Sequence, residues 1–142
     1  MHLDDIKTRI PHELHAILSQ DGITELRPAQ SKAIDAGLLE RKNLLICTPT
    51  ASGKTLIAEF AALTSVFERK GRAVYIVPLV ALASEKVKHF KRRYGTRCNV
   101  ALSVGDFDSA DPHLGNYDLI VCTAEKLDSL LRHHAPWLSQ VG

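Results

Sequence analysis

The chain has 142 residues, room for one domain of ordinary size and short for two. Hydrophobic residues make up 45% and charged residues 24%, a balance that excludes a disordered chain, a collagen and a long coiled coil. Eighteen Lys and Arg stand against sixteen Asp and Glu, and the resulting +2 singles out no class of partner.

The first predicted element is a helix over Pro11 to Gln20. Pro suits a first helical position, Leu14, Ile17 and Leu18 share one face, and Asp21-Gly22 stops the turn. A second helix is predicted from Pro28 to about Glu40, with Ile34 and Leu38 facing inward. Asn43 to Cys47 (N-L-L-I-C) reads as a short, fully buried strand. Thr48 to Ser52 is a loop of small residues. From Gly53 a helix carries Leu56, Phe60, Leu63 and Phe67 at helical spacing, and Lys70-Gly71 closes it.

Ala73 to Val77 (A-V-Y-I-V) is a second buried strand, ended by Pro78. The next helix shows Ala83, Val87, Phe90 and Tyr94 on one stripe and stops at Gly95. Cys98 to Val104 is a third strand. A polar loop with Asp106, Asp108, Asp111, Pro112 and Gly115 leads to a fourth, Asp118 to Cys122 (D-L-I-V-C). Thr123 then reads as the N-cap of a helix through Arg132, with Leu127, Leu130 and Leu131 inside. Strands alternate with helices and are apolar on both faces. The expected fold is α/β, a parallel sheet flanked by helices.

The longest uncharged stretch, Ala73 to Ser84, is too short to span a bilayer, and the acidic start lacks a secretory signal. Cys47, Cys98 and Cys122 are odd in number and widely spaced. They read as small buried residues in a reducing compartment, not as disulfides or a zinc site. These features predict no membrane association and a cytoplasmic location, nucleoid-associated in a prokaryote or archaeon.

The densest chemical signal is Thr48-Pro49-Thr50-Ala51-Ser52-Gly53-Lys54-Thr55. It fits the phosphate-loop pattern G-x-x-x-x-G-K-[ST] at its last three positions, with Thr48 where the first glycine stands. An apolar run precedes it and an amphipathic helix follows. Backbone N–H groups of such a loop curl round phosphate oxygens, and the helix N-terminus adds partial positive charge. Lys54 is placed to reach β- and γ-phosphates, and the Thr55 hydroxyl to hold Mg²⁺.

Five segments carry a family resemblance. Cys47 to Thr55 resembles motif I of the superfamily 2 helicases, in which Thr48 in place of Gly is ordinary. Glu25-Leu26-Arg27-Pro28-Ala29-Gln30 resembles the upstream Q motif, whose glutamine recognises adenine. Pro78 to Lys86 is similar to motif Ia of the Ski-like branch. Ser103 to Asp108 resembles the Gly-Asp motif after it, and Thr123 to Arg132 looks like motif Ib. All five stand in family order and together cover roughly residues 22 to 142. Within the branch the chain is similar to archaeal DNA repair helicases related to the helicase part of DNA polymerase theta.

The resemblance implies a RecA-like P-loop NTPase motor domain that uses ATP with Mg²⁺ and moves 3′ to 5′ along single-stranded or forked DNA, RNA remaining open. It assigns adenine to Gln30, phosphates to residues 48–55, and the strand track to Pro78, Leu79, Ala81, Thr123, Glu125 and Lys126. The family's Asp-Glu-x-His motif II has no counterpart in the sequence. The expectation is therefore the N-terminal part of a first motor domain, truncated before motif II. Residues 1–24 form a leading helical segment and residues 25–142 carry the motifs. Such a chain binds ATP without hydrolysing it and depends on the remainder of its own chain, motif II and the second motor domain included. It should also leave an apolar sheet edge exposed.

Other readings stand beside these. Thr123 and Pro78 also suit an ordinary helix cap and a strand terminator. Lys86, Lys88, Lys91, Arg92 and Arg93 read as a solvated helix face in preference to a nucleic-acid patch. Asp106, Asp108 and Asp111 lack the glycine and distal glutamate of a calcium loop and read as turn formers. His12 with His15 and His133 with His134 make no complete ligand set. Trp137 reads as packing. A P-loop small-molecule kinase shares the loop but has no use for the segments at Pro78 and Thr123. A non-catalytic nucleic-acid-binding module needs more net charge than +2.

Overall fold

The computed structural model describes residues 1–105 and 112–142. Asp106, Phe107, Asp108 and Asp111, and with them half of the Gly-Asp segment and the acidic residues of the loop, lie outside the described residues. The chain forms two compact units, Met1–Glu68 and Arg69–Gly142.

The first unit is helical. A 3-10 turn, Leu3–Ile6, leads to α1 (His12–Gln20), α2 (Pro28–Asp35) and α3 (Lys54–Phe67). Both α1 and α2 pack on α3. The shared core holds Leu14 and Leu18 of α1, Ile34 of α2, and Phe60 and Leu63 of α3, with Leu3 and Ile6 from the turn. The chain start is tied down by main-chain bonds to the segment before α2: Leu3 N–H donates to the Thr24 carbonyl and Leu26 N–H to the Met1 carbonyl, both at 2.9 Å. These bonds fix where Arg27 and α2 begin.

Two expectations for this unit change. α2 ends at Asp35, not near Glu40. Gly37 takes φ +108, outside the helical region, and residues 36–41 run as turns with Leu38 half-buried. Residues 43–47 do not form the buried strand read from their composition. Among the described residues no ladder includes them. Leu44 and Ile46 are half-buried, whereas Leu45 is 89% exposed and Cys47 is exposed. An apolar run is held as a buried strand only by neighbours at its edges and faces, and its composition does not specify them.

The second unit is the sheet. β1 (Ala73–Val77), β2 (Val100–Ser103) and β3 (Leu119–Thr123) are parallel in the order β1-β3-β2. The first crossover is α4 (Val80–Tyr94), and α5 (Ala124–Arg132) follows β3 directly. On α4 the predicted stripe Ala83, Val87, Phe90 and Tyr94 is buried, against all three strands. Tyr75 of β1 meets Phe90 edge-on at 5.2 Å between ring centroids. The opposite face of the sheet, through Ala101 and Ile120, packs on Leu130 of α5 and on Leu114, Ala135 and Trp137. Covered on both faces, β3 is buried at all five positions, which explains its unbroken apolar run.

α5 turns a different face inward from the one expected. Leu130 is buried and Leu127 half-buried, but Leu131 is 56% exposed, and Lys126 and Ser129 complete the buried side. Residues 126 and 130 share a face at i, i+4 spacing, whereas 131 lies a further 100° round the axis. After α5 a second-unit 3-10 turn, Pro136–Gln140, brings the chain back to β1. There Val141 forms a parallel bridge with Arg72. The Arg72 guanidinium holds Gln140 Oε1, with Nη2 at 2.6 Å and Nε at 3.1 Å, and also reaches the Tyr117 carbonyl.

Candidate nucleotide site and strand track

The candidate nucleotide loop, residues 48–55, lies wholly in the first unit. Gly53, the N-cap of α3, has φ +86, and Ala51 has φ +64. Two left-handed residues on either side of Ser52 bend the main chain sharply just before α3. Thr48 works in place of the expected glycine by bonding within the loop. Its hydroxyl lies 2.6 Å from Ser52 Oγ, and its carbonyl accepts from Lys54 Nζ at 3.0 Å. Ser52 Oγ is also 2.6 Å from the Pro49 carbonyl. Pro49, Thr50, Ala51 and Lys54 are exposed, and Thr55 is half-buried in the first turn of α3.

α2 brings its start against this loop. Gln30 is 4% exposed, yet both ends of its amide are engaged. Oε1 accepts the Arg27 N–H at 2.7 Å, and Nε2 donates to the Gly53 carbonyl at 3.1 Å. Pro28 at the helix start presets the backbone for this turn. The packing also accounts for Gly53, since a β-carbon there collides with the Gln30 amide. The Arg27 guanidinium reaches past Gly53 to the Ala51 carbonyl. Sequence reading placed Gln30 at the site and gave Arg27 no role; its position three residues ahead of Gln30, just outside the helix, is the signal that was available.

The second candidate surface lies in the other unit. β1 and β3 are adjacent and parallel, and their last residues, Val77 and Thr123, are paired. The segments that follow them therefore emerge side by side at the carboxyl edge of the sheet, where open α/β sheets place their ligands. After β1 come Pro78, Leu79 and the start of α4. Pro78 and Ala81 are exposed and Leu79 is 61% exposed. Among the described residues no side chain caps α4, and its first N–H groups have no partner within the helix.

After β3, Thr123 is buried and its hydroxyl accepts the Lys126 N–H at 3.3 Å, so the capping bond is formed. Glu125 is exposed. Lys126 differs from expectation: at 1% exposure its ammonium lies inside the fold and is not presented to a strand. The helix face that Thr123 sets at the end of β3 turns position 126 inward.

Burial pushes the Cys98 and Cys122 thiols up to about 11, with Asp118 adding to the rise at Cys98 and Lys126 opposing it at Cys122. Cys47, expected to be buried, is exposed, and among the described residues no ladder includes residues 43–47. Among the described residues no group of three His, Cys, Asp or Glu is placed to hold a metal ion. His15 lies 2.8 Å from Asp4, and His133 Nδ1 donates to the Ser129 carbonyl at 2.8 Å. Trp137 is buried in the second unit's core.

Residues 27–142 match the DEAD/DEAH box helicase family. The chain is 51% identical over 132 residues to the ATP-dependent DNA helicase Hel308 of Pyrococcus abyssi, covering 93% of this chain and 18% of the relative. It is 46% identical over 141 residues to Hel308 of Thermococcus kodakarensis, covering 99% of this chain and 12% of that protein. The crystal structure of the DUF1998 helicase MrfA bound to DNA superposes with a TM-score of 0.78 at 27% identity, over 92% of this chain and 20% of that one. The chain thus spans about a fifth or less of the length of these relatives.

Proposed function

The chain belongs to the DEAD/DEAH box helicase family, and from that premise we propose that it is the nucleotide-binding front of an ATP-dependent DNA helicase. The observation that carries this reading is the bond from the buried Gln30 amide to the Gly53 carbonyl, which joins the adenine-reading segment to the phosphate loop. In the RecA-like fold the loop's N–H groups take the phosphates. Lys54 exchanges its neutral carbonyl partner for the β- and γ-phosphates, a charge-assisted bond being the stronger. Thr55, in the first turn of α3, offers its hydroxyl to Mg²⁺. Gln30 retains a second amide hydrogen and a second lone pair for the adenine edge. The donor set therefore fits Mg²⁺-ATP, which supplies the driving reaction when bound.

The strand track runs over the carboxyl edge of the sheet. Pro78, Leu79 and Ala81 with the uncapped start of α4 take one phosphate, and Thr123 with Glu125 at the start of α5 borders the next. Such contacts grip the backbone and leave the bases unread, as a translocating motor requires. Single-stranded or forked DNA is the substrate and 3′ to 5′ the direction, in repair or stalled-fork processing within the cytoplasm or nucleoid. No helix among the described residues is long and apolar enough to cross a membrane. These 142 residues bind nucleotide and do not hydrolyse it, because the sequence carries no Asp-Glu pair to hold the metal and orient water. The rest of the chain supplies those carboxylates and a second motor domain.

Fluorescence anisotropy with a labelled single-stranded oligonucleotide tests the track. Ala81→Asp should weaken DNA binding at least tenfold by placing a like charge against phosphate, while Mg²⁺-ATP binding stays unchanged. Undiminished DNA binding by that variant would remove the carboxyl edge as the track.

A further inference from the structure

Arg27 is exposed and takes no part in a core, yet its guanidinium is committed to a main-chain carbonyl of the phosphate loop. We propose that Arg27 is a positioning residue that aims the Ser52 N–H into the phosphate site by holding the Ala51 carbonyl outside it; this rests on reading the loop as the nucleotide site.

The argument begins with the peptide plane. In a trans peptide the C=O of one residue and the N–H of the next point in opposite directions. Whatever holds the Ala51 carbonyl therefore aims the Ser52 N–H the other way. The same holds two planes further on: Gln30 Nε2 holds the Gly53 carbonyl, and so directs the Lys54 N–H. Two side chains from the start of α2 thus grip two loop carbonyls from outside, leaving the paired N–H groups turned inward.

Ala51 is the plane that needs the grip. It sits at φ +64, a conformation an L-residue avoids and glycine does not. Arg27 is itself well anchored for the task. Its own N–H is fixed by Gln30 Oε1 at 2.7 Å, the next residue is Pro28, and the preceding Leu26 is buried with its N–H on the Met1 carbonyl. The guanidinium also adds a fixed positive charge beside the loop.

The test is calorimetric titration of the chain with Mg²⁺-ATP and, separately, with inorganic tripolyphosphate, which engages the loop without adenine. Arg27→Gln should weaken both ligands about tenfold, the loss of one charge-assisted bond. Arg27→Lys should recover part of that loss, since it keeps the charge and one donor. In an Ala51→Gly background the same Arg27→Gln change should cost about threefold or less, because glycine takes the left-handed form untied. Circular dichroism should find every variant folded.

Unchanged tripolyphosphate binding by Arg27→Gln overturns the proposal. So does an equal loss in the two backgrounds, which means that Arg27 acts otherwise than through Ala51. Failure of the nucleotide reading looks different: wild type binds neither ligand, or Lys54→Ala binds as well as wild type, and the Arg27 assignment then falls with it.

Discussion

Gly53→Ala and Gly22→Ala form a matched pair that tests the packing of the nucleotide loop. Both glycines lie in the first unit with nearly the same φ, +86 at Gly53 and +81 at Gly22. A β-carbon at Gly22 meets nothing within 4 Å, whereas one at Gly53 runs into the Gln30 amide. Alanine at either position carries the left-handed penalty, about 1 kcal/mol after the gain from a stiffer unfolded chain. At Gly53 the Gln30 side chain must also leave its buried seat, giving up its 2.7 Å bond to the Arg27 N–H and its 3.1 Å bond to the Gly53 carbonyl. At about 1 kcal/mol each, those bonds raise the loss to about 3 kcal/mol. Urea unfolding followed by helical circular dichroism should therefore separate the two variants by about 2 kcal/mol. Mg²⁺-ATP binding should be lost in Gly53→Ala and kept in Gly22→Ala. Equal destabilisation of the two variants would show that Gln30 does not pack on Gly53.

Arg72→Met should free the Pro136–Gln140 turn by removing the bonds to Gln140 and Tyr117, at a loss of about 1–2 kcal/mol. Trp137 is the sole tryptophan, so a red-shifted emission with easier acrylamide quenching reports the release directly; an unchanged spectrum contradicts the role given to Arg72. At pH 8 a disulfide reagent should titrate Cys47 at once, and Cys98 and Cys122 only on unfolding, since burial holds both thiols near 11. The same shift fixes a pH dependence. A thiol raised from 9.0 to about 11 favours the folded state fully below pH 9, and that contribution is lost as pH rises through 11. Stability should therefore fall between pH 9 and 11, less steeply in a Cys98→Ala, Cys122→Ala variant compared with its own neutral-pH value.

Local signals in the sequence carried most of the fold. The stripes of α1 and α4 were legible because helix faces are set by spacing alone, and β3 because an apolar run covered on both faces has no polar interruption. The start of α3 after the small-residue loop was legible for the same reason, since Gly53 and the helical spacing that follows it are contiguous. What failed depended on distant neighbours. Residues 43–47 have the composition of a buried strand, but pairing is not a property of the run itself. Leu131 and Lys126 exchanged places across α5 because the helix face is set by how Thr123 leaves β3. Arg27 escaped notice since its partner, Ala51, is 24 residues away and becomes its neighbour only through folding.

The most direct test of the account is calorimetric titration of Mg²⁺-ATP into this chain beside Lys54→Ala. The account predicts saturable binding by the wild type that Lys54→Ala weakens at least tenfold, with no phosphate release from either. Absence of binding by a folded wild-type chain, or binding indifferent to Lys54, would contradict it.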